Sequence, residues 1–163
     1  MGSGKTHWGK IWAKNNGLQF FDLDTRIEDA AGMSITKIFE KHGEDKFREM
    51  EAEQLKKFAH LKNFILACGG GTPCFGNNME WMKANGKVIY LKASPSLIVK
   101  NVLDEMEQRP IIKDVNPSEL IFFVERKLKE RESFYSQADY TLNVERLNDN
   151  ALFQLFNNTN ANA

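Results

Sequence analysis

The run Gly2-Ser3-Gly4-Lys5-Thr6 sets two glycines, an ammonium and a hydroxyl within five positions, the composition of a backbone cradle for phosphate. Glycines let successive N–H groups turn inward around phosphate oxygens. Lys5 brings a point charge to the terminal phosphates, and Thr6 offers its hydroxyl to magnesium. His7 follows directly and completes a candidate nucleotide-binding set of Gly2, Ser3, Gly4, Lys5, Thr6 and His7. The complete pattern, G-x-x-x-x-G-K-[ST], requires another glycine two residues ahead of Met1, and a strand normally delivers such a loop. A short apolar strand and that glycine are therefore expected upstream. Taken alone, a Gly/Ser/Lys run can equally be a solvated loop.

Further groups able to do chemistry recur along the chain. Asp22 and Asp24 stand one residue apart after Gln19-Phe20-Phe21, so one can face a magnesium shell and the other a substrate hydroxyl. Their plain alternative is a turn whose acids cap a helix, Asp24 being the capping candidate. Gly69-Gly70-Gly71 follows the apolar run Phe64-Ile65-Leu66-Ala67. Three glycines there permit positive φ and a ligand pressed against backbone N–H groups, or else a tight turn. Arg48 lies on a helix with an apolar opposite face, where the alternative is a solvated cation with helix-spaced acids. Arg109-Pro110 sits in a polar stretch, about 107–116, between two helical segments. Arg131 closes the later one, where it also suits a helix C-terminus.

The bulk properties bound the answer. With 163 residues and equal numbers of acidic and basic side chains, 22 each, the chain suits one compact domain without a global field favouring nucleic acid or an anionic membrane. Its apolar runs are strand-length, so no bilayer span is expected. Cys68 and Cys74 lack redox or zinc spacing and read as reduced thiols of a cytoplasmic protein. Helix and strand signals alternate, as in an α/β domain with a mostly parallel sheet. Helices are expected over 5–15, from Ser34 to a stop near Gly43, over 44–60 and 78–84. Others should run from Ser94-Pro95 to about Met106, from the Asn116-Pro117 cap to about Glu132, and over 151–156. Strands are expected over 19–22, 64–67, 87–91 and 140–143. Ligands of such sheets gather at the carboxyl ends of the strands, and that is where the two aspartates and the glycine run fall.

Taken in order, these features resemble the shikimate kinases over nearly the whole chain. The family pattern runs from a P-loop through Asp-x-Asp, Phe-Arg-x-x-Glu, a triple glycine and an Arg-Pro lid to a late arginine before an aromatic. Here these are Gly2 to Thr6, Asp22 and Asp24, Phe47-Arg48 to Glu51, Gly69 to Gly71, Arg109-Pro110, and Arg131 to Tyr135. The resemblance implies a P-loop NTPase fold of the nucleoside-monophosphate-kinase type, with a parallel sheet flanked by helices whose first strand lies outside residues 1–163. It implies one kinase domain over 1–163, with a mobile lid at about 107–116. The implied reaction is ATP-dependent phosphorylation of the shikimate 3-hydroxyl, in a monomer needing neither nucleic acid nor membrane. Lys5 would neutralise the transferring phosphoryl group, with Thr6 and Asp22 holding Mg2+. Asp24 would orient and deprotonate the hydroxyl, and Arg48 and Arg131 would grip the carboxylate with Glu51 behind Arg48. Gly69, Gly70 and Gly71 would present N–H groups to the same substrate, and Arg109 would close over the phosphates. Lys100 and Asn101 stand where relatives carry an adenine-stacking arginine, which leaves Arg146 as the candidate for the base side. Two other readings stay open: another small P-loop kinase such as a gluconate kinase, and a catalytically silent nucleotide-binding relative.

Overall fold

The structure, a computed structural model, describes residues 2–103, 106 and 110–160. The element order is α1 (Lys5–Asn15), β1 (Gln19–Asp22), α2 (Leu23–Ala31), α3 (Ile35–Lys56), β2 (Phe64–Ala67) and α4 (Asn78–Asn85). Then come β3 (Ile89–Lys92), α5 (Pro95–Val102), α6 (Leu120–Tyr135), β4 (Tyr140–Asn143) and α7 (Ala151–Asn160). Local chemistry sets most boundaries. The Ser34 and Ser94 side chains accept from the backbone N–H groups of Lys37 and Leu97, and Pro95 occupies the first position of α5. Gly43 interrupts α3 with φ 77°, so the two expected helices form one kinked rod. The helix after Asn116 begins with a 3-10 turn at Pro117–Glu119 and continues to Tyr135, one turn beyond its expected end. The acid expected to complete a capping box there, Glu119, instead closes that turn through its backbone, donating to the Asn116 carbonyl at 2.8 Å.

All strand pairing is parallel, as the alternating pattern required, but it comes in two separate pairs, β1 with β2 and β3 with β4. Register places Asp22 beside Ala67 and Lys92 beside Asn143, so Asp22 and the glycines after Ala67 emerge at the same end of their pair. Between the pairs lies a cavity of about 680 Å³. Its walls include Ile65, Leu66, Ile89 and Leu91 from β2 and β3, while Lys5 and Gly69 close one end. The facing edges of β2 and β3 therefore carry no ladder partner among the described residues.

Apolar packing divides in the same way. Leu23, Ile27, Ile38, Phe47, Leu55 and Phe58 form a core beside β1 and β2. Ala93, Ile98, Val102, Ile112, Leu120 and Val124 form a second beside β3 and β4. Ile112 is an apolar member of the expected polar lid. Within 110–116, Ile112 is fully buried and Lys113 bridges to Glu40 of α3 at 3.1 Å. The other part of that segment, 107–109 with Arg109, lies outside the described residues. Among the described residues no helix is long and apolar enough to cross a membrane.

Two open strand edges lined by apolar side chains form a matched acceptor for one more parallel strand, because unpaired buried ladder groups are costly. Joining an extended apolar segment of about five residues ahead of Gly2 is expected to raise the melting temperature and slow amide exchange along β2 and β3. Calorimetry with hydrogen exchange checks this, and unchanged melting and exchange would show that the cavity does not take a strand.

Candidate active site

Gly4, with φ 76°, sits at the N-cap of α1, and Gly2 has φ 63°. Both conformations are left-handed and favour glycine, and a Cβ on Gly2 would lie 2.7 Å from Val102. The loop therefore turns into the start of α1, where free N–H groups and the helix dipole favour an anion. Asn101 steadies this loop by donating to the Gly2 carbonyl at 2.8 Å, a contact that the sequence did not foretell. His7 points outward, its ring edge-on to Trp8.

At the second residue of α1, the Thr6 hydroxyl donates to Asp22 Oδ2 at 2.8 Å. The other Asp22 oxygen accepts from the Asp24 N–H at 3.1 Å, so Asp22 and not Asp24 caps α2. That corrects the capping alternative and frees Asp24. No described residue donates a hydrogen bond to the Asp24 carboxylate. Burial raises its pKa above the ordinary value; Lys5 opposes the shift, and Asp22 and Glu28 add to it. A Cβ on Gly69 would lie 3.5 Å from Asp24 Oδ1, so this carboxylate adjoins the glycine turn.

At the other end of that turn stands Arg48. Its Nη1 donates to Glu51 Oε2 at 2.8 Å, and its Nε and Nη2 both donate to Glu44 Oε1 at 3.2 and 2.8 Å. The Phe75 ring lies over the guanidinium at 4.1 Å. Glu51 is fully buried and accepts from the Thr72 hydroxyl at 2.6 Å, while Asn78 donates to the Thr72 carbonyl at 3.0 Å. Burial pushes the Glu51 carboxyl up, against the pull of Thr72 and Arg48. Removing Arg48 would strand a buried charge, a loss typically of about 3–5 kcal/mol. Arg48 is thus a fold residue as well as a candidate ligand, and Arg131 is the cleaner probe of binding.

The glycines adopt a conformation other than the expected positive-φ turn. None of Gly69, Gly70 and Gly71 has positive φ. Gly71 is demanded by space, since a Cβ there would sit 2.7 Å from Arg48 Nη2. The N–H groups of Gly70 and Gly71 donate to no described group, while the neighbouring Thr72 N–H closes the turn onto the Gly69 carbonyl at 3.1 Å. Arg131 reaches the same place from α6. It and Arg48 both act on the half-buried Cys74 thiol, and no carboxylate lies within ion-pair distance of Arg131 among the described residues. Cys68, by contrast, is raised to about 12 by burial and is inert.

The site therefore has two poles joined by the glycine turn. Lys5, Thr6, Asp22 and Asp24 stand at one, and Arg48 and Arg131 at the other. The larger cavity between the strand pairs adjoins this site through Lys5, Gly69, Gly70 and Tyr135, while Asp24, Arg48 and Arg131 do not line it. Arg146 lies apart, exposed in the turn Val144–Arg146 after β4. The Thr72–Glu51 bond, Phe75 and Tyr135 were missed as site-builders. Only their place beside Gly69–Gly71 or Arg131 pointed to them.

A family model of shikimate kinases matches residues 1–159. The chain belongs to the shikimate kinase family. A shikimate kinase of Bacteroides thetaiotaomicron is 37% identical over 149 residues, which are 91% of this chain and 85% of that protein. The crystal structure of shikimate kinase from Bacteroides thetaiotaomicron superposes with a TM-score of 0.88 at 33% identity, covering 97% of this chain and 94% of the other. Shikimate kinase from Acinetobacter baumannii in complex with shikimate gives 0.87 at 32% identity, covering 98% and 89%. The P-loop fold with parallel strands flanked by helices, expected from the alternating pattern, is that of these shikimate kinases.

The raised pKa of Asp24 has a sign that can be tested. A carboxyl whose folded-state pKa lies above its unfolded value stabilises the fold only while protonated. That contribution is lost as pH rises from the ordinary value, 3.8, through the raised one. At neutral pH its charge loads the fold. Asp24→Asn is therefore expected to melt higher than the parent at neutral pH, with the difference shrinking as the medium is acidified, while turnover falls about 10²–10⁴-fold. Thermal unfolding against pH, with rates measured in parallel, checks both halves. A lower melting point with near-normal turnover would make Asp24 a structural acid.

Proposed function

We propose that this chain transfers the γ-phosphoryl group of ATP to the 3-hydroxyl of shikimate, giving shikimate 3-phosphate. What carries the reading is the two-pole site. Among the described residues, a carboxylate without a donor, Asp24, and a guanidinium without a carboxylate, Arg131, flank one glycine turn with free N–H groups. A small molecule bearing hydroxyls at one end and a carboxylate at the other satisfies both poles at once.

Asp24 accepts hydrogen bonds from the ring hydroxyls, holds the 3-hydroxyl in line and takes its proton as the phosphoryl group moves. Its raised pKa brings it nearer to that task than a solvated aspartate. Arg131 and Arg48 bind the carboxylate with planar donors, and Gly70 and Gly71 add backbone N–H groups. Gly2 to Thr6 and the start of α1 receive the phosphates, where Lys5 neutralises developing charge. Among the described residues no three acidic, histidine or cysteine side chains form a metal cage. The Thr6–Asp22 oxygen pair suits instead a hard cation shared with phosphates and water. Thr6 and Asp22 would hold Mg2+, which supplies charge neutralisation at the phosphates when bound. Arg109, with the segment 107–116, would close over them, while His7 and Arg146 serve the nucleotide's outer face. In this reading the enzyme works as a cytoplasmic monomer of one domain.

ATP consumption should be seen with shikimate and not with gluconate or nucleoside monophosphates. Arg131→Ala should weaken shikimate binding about tenfold or more, as loss of a charged hydrogen bond does, and leave the affinity for an ATP analogue unchanged. Coupled assay and calorimetric titration give the two readouts. Equal loss of nucleotide affinity would assign Arg131 to the phosphates, and turnover with gluconate would displace shikimate.

A further inference from the structure

The glycine turn offers donors only if its peptide planes are held. The plane joining Gly69 and Gly70 is fixed by the backbone, its carbonyl accepting from Thr72 N at 3.1 Å. The next plane, joining Gly70 and Gly71, has no backbone partner among the described residues. Its carbonyl is taken by the Tyr135 hydroxyl at 2.6 Å, the shortest side-chain bond to the turn, with the Cys74 thiol a weak second at 3.9 Å. Because a trans peptide is planar, fixing the Gly70 carbonyl aims the Gly71 N–H in the opposite direction, away from Tyr135. Gly71 itself cannot shift sideways, since the Arg48 guanidinium fills the space where a Cβ would stand.

We infer that Tyr135 is a positioning residue for the substrate, holding the Gly70–Gly71 peptide so that the Gly71 N–H points at the bound ligand. Tyr135 is well made for this. It is buried at the last turn of α6, and its ring packs against Tyr90 at 4.7 Å between centroids. Burial keeps its hydroxyl protonated well above neutral pH, although Arg131, one turn earlier, interacts with the same phenol by charge and hydrogen bonding. One helix end thus carries a cation for the ligand's carboxylate and the hydroxyl that aims a backbone donor at the ligand. Binding at Arg131 and alignment of the turn are set together.

This assignment rests on the proposed function for its ligand, and the test separates the two. Shikimate is titrated calorimetrically into the parent chain, Tyr135→Phe and Tyr90→Phe, with an ATP analogue as the second ligand. In the ligand-free proteins the Gly71 amide is followed by NMR and hydrogen exchange. Tyr135→Phe is expected to bind shikimate about three- to tenfold more weakly, the range of one hydrogen bond, with ATP-analogue affinity unchanged. Its Gly71 amide should shift and exchange faster. Tyr90→Phe, which keeps the hydroxyl bond, should leave shikimate affinity unchanged. Equal shikimate affinity, or an unmoved Gly71 amide, in a folded Tyr135→Phe protein overturns the assignment. If the parent takes up no shikimate, the proposed function fails and the Gly71 comparison still decides the role of Tyr135. Should Tyr135→Phe not fold, 3-fluorotyrosine at position 135 keeps the packing and alters the acidity of the hydroxyl. The Gly70 carbonyl resonance must then move, and a stationary one overturns the assignment.

Discussion

One fully buried carboxylate organises the candidate site. Glu51 accepts from Thr72 on one oxygen and from Arg48 on the other, so a single side chain of α3 joins the glycine turn to the Arg48 guanidinium. Burying a charge is unfavourable unless it is paired and hydrogen-bonded, and here both conditions are met. The arrangement leaves little freedom elsewhere. Arg48 must lie against Gly71, Gly71 must lack a side chain, and Thr72 must keep its hydroxyl inward with its carbonyl held by Asn78. Phe75 then covers the guanidinium. The cost of ordering these groups is met in folding, before any ligand arrives, which is how a site becomes preorganised.

The nucleotide pole is held more simply. Parallel register brings the end of β1 beside the end of β2, so Asp22, Asp24 and the glycine turn meet without any side chain having to reach far. Thr6 ties α1 to Asp22, while Asn101 ties the preceding loop to α5. Each strand pair has its own core, and the halves meet through the glycine turn, where Tyr135 of α6 reaches Gly70, and through Lys113 and Glu40. The first unit carries Asp22, Asp24 and Arg48, whose neighbours Leu23 and Phe47 lie in its core, while α6 of the second carries Arg131.

Much of this was legible from residue types and spacing. Caps at Ser34 and Ser94 and the strands at 19–22, 64–67 and 140–143 follow from patterns that act locally. Other details were not. Asp24 looked like a cap because capping residues are read by type, yet the hydrogen bond that decides between neighbouring aspartates depends on backbone direction at the end of β1. The glycines looked like a positive-φ turn because that is their commonest use, whereas none of them has positive φ and Gly71 makes room for Arg48, a residue 23 positions before it. Ile112 looked like part of a polar segment because its neighbours are polar, and only the packing of α5 and α6 shows that it is core. Long-range contacts decide the glycine run and Ile112, and periodicity does not record them.

Glu51→Gln tests the central claim most directly, because Glu51 is not assigned any contact with substrate. The amide keeps the volume and a partner for Thr72 while removing the charge that holds Arg48. Calorimetric titration of the folded variant should show shikimate affinity reduced about tenfold or more, as when a charged hydrogen-bond partner is lost, with ATP-analogue affinity unchanged. Unaltered shikimate affinity in a folded Glu51→Gln protein would contradict the account, since Arg48 would then hold its place without the buried carboxylate.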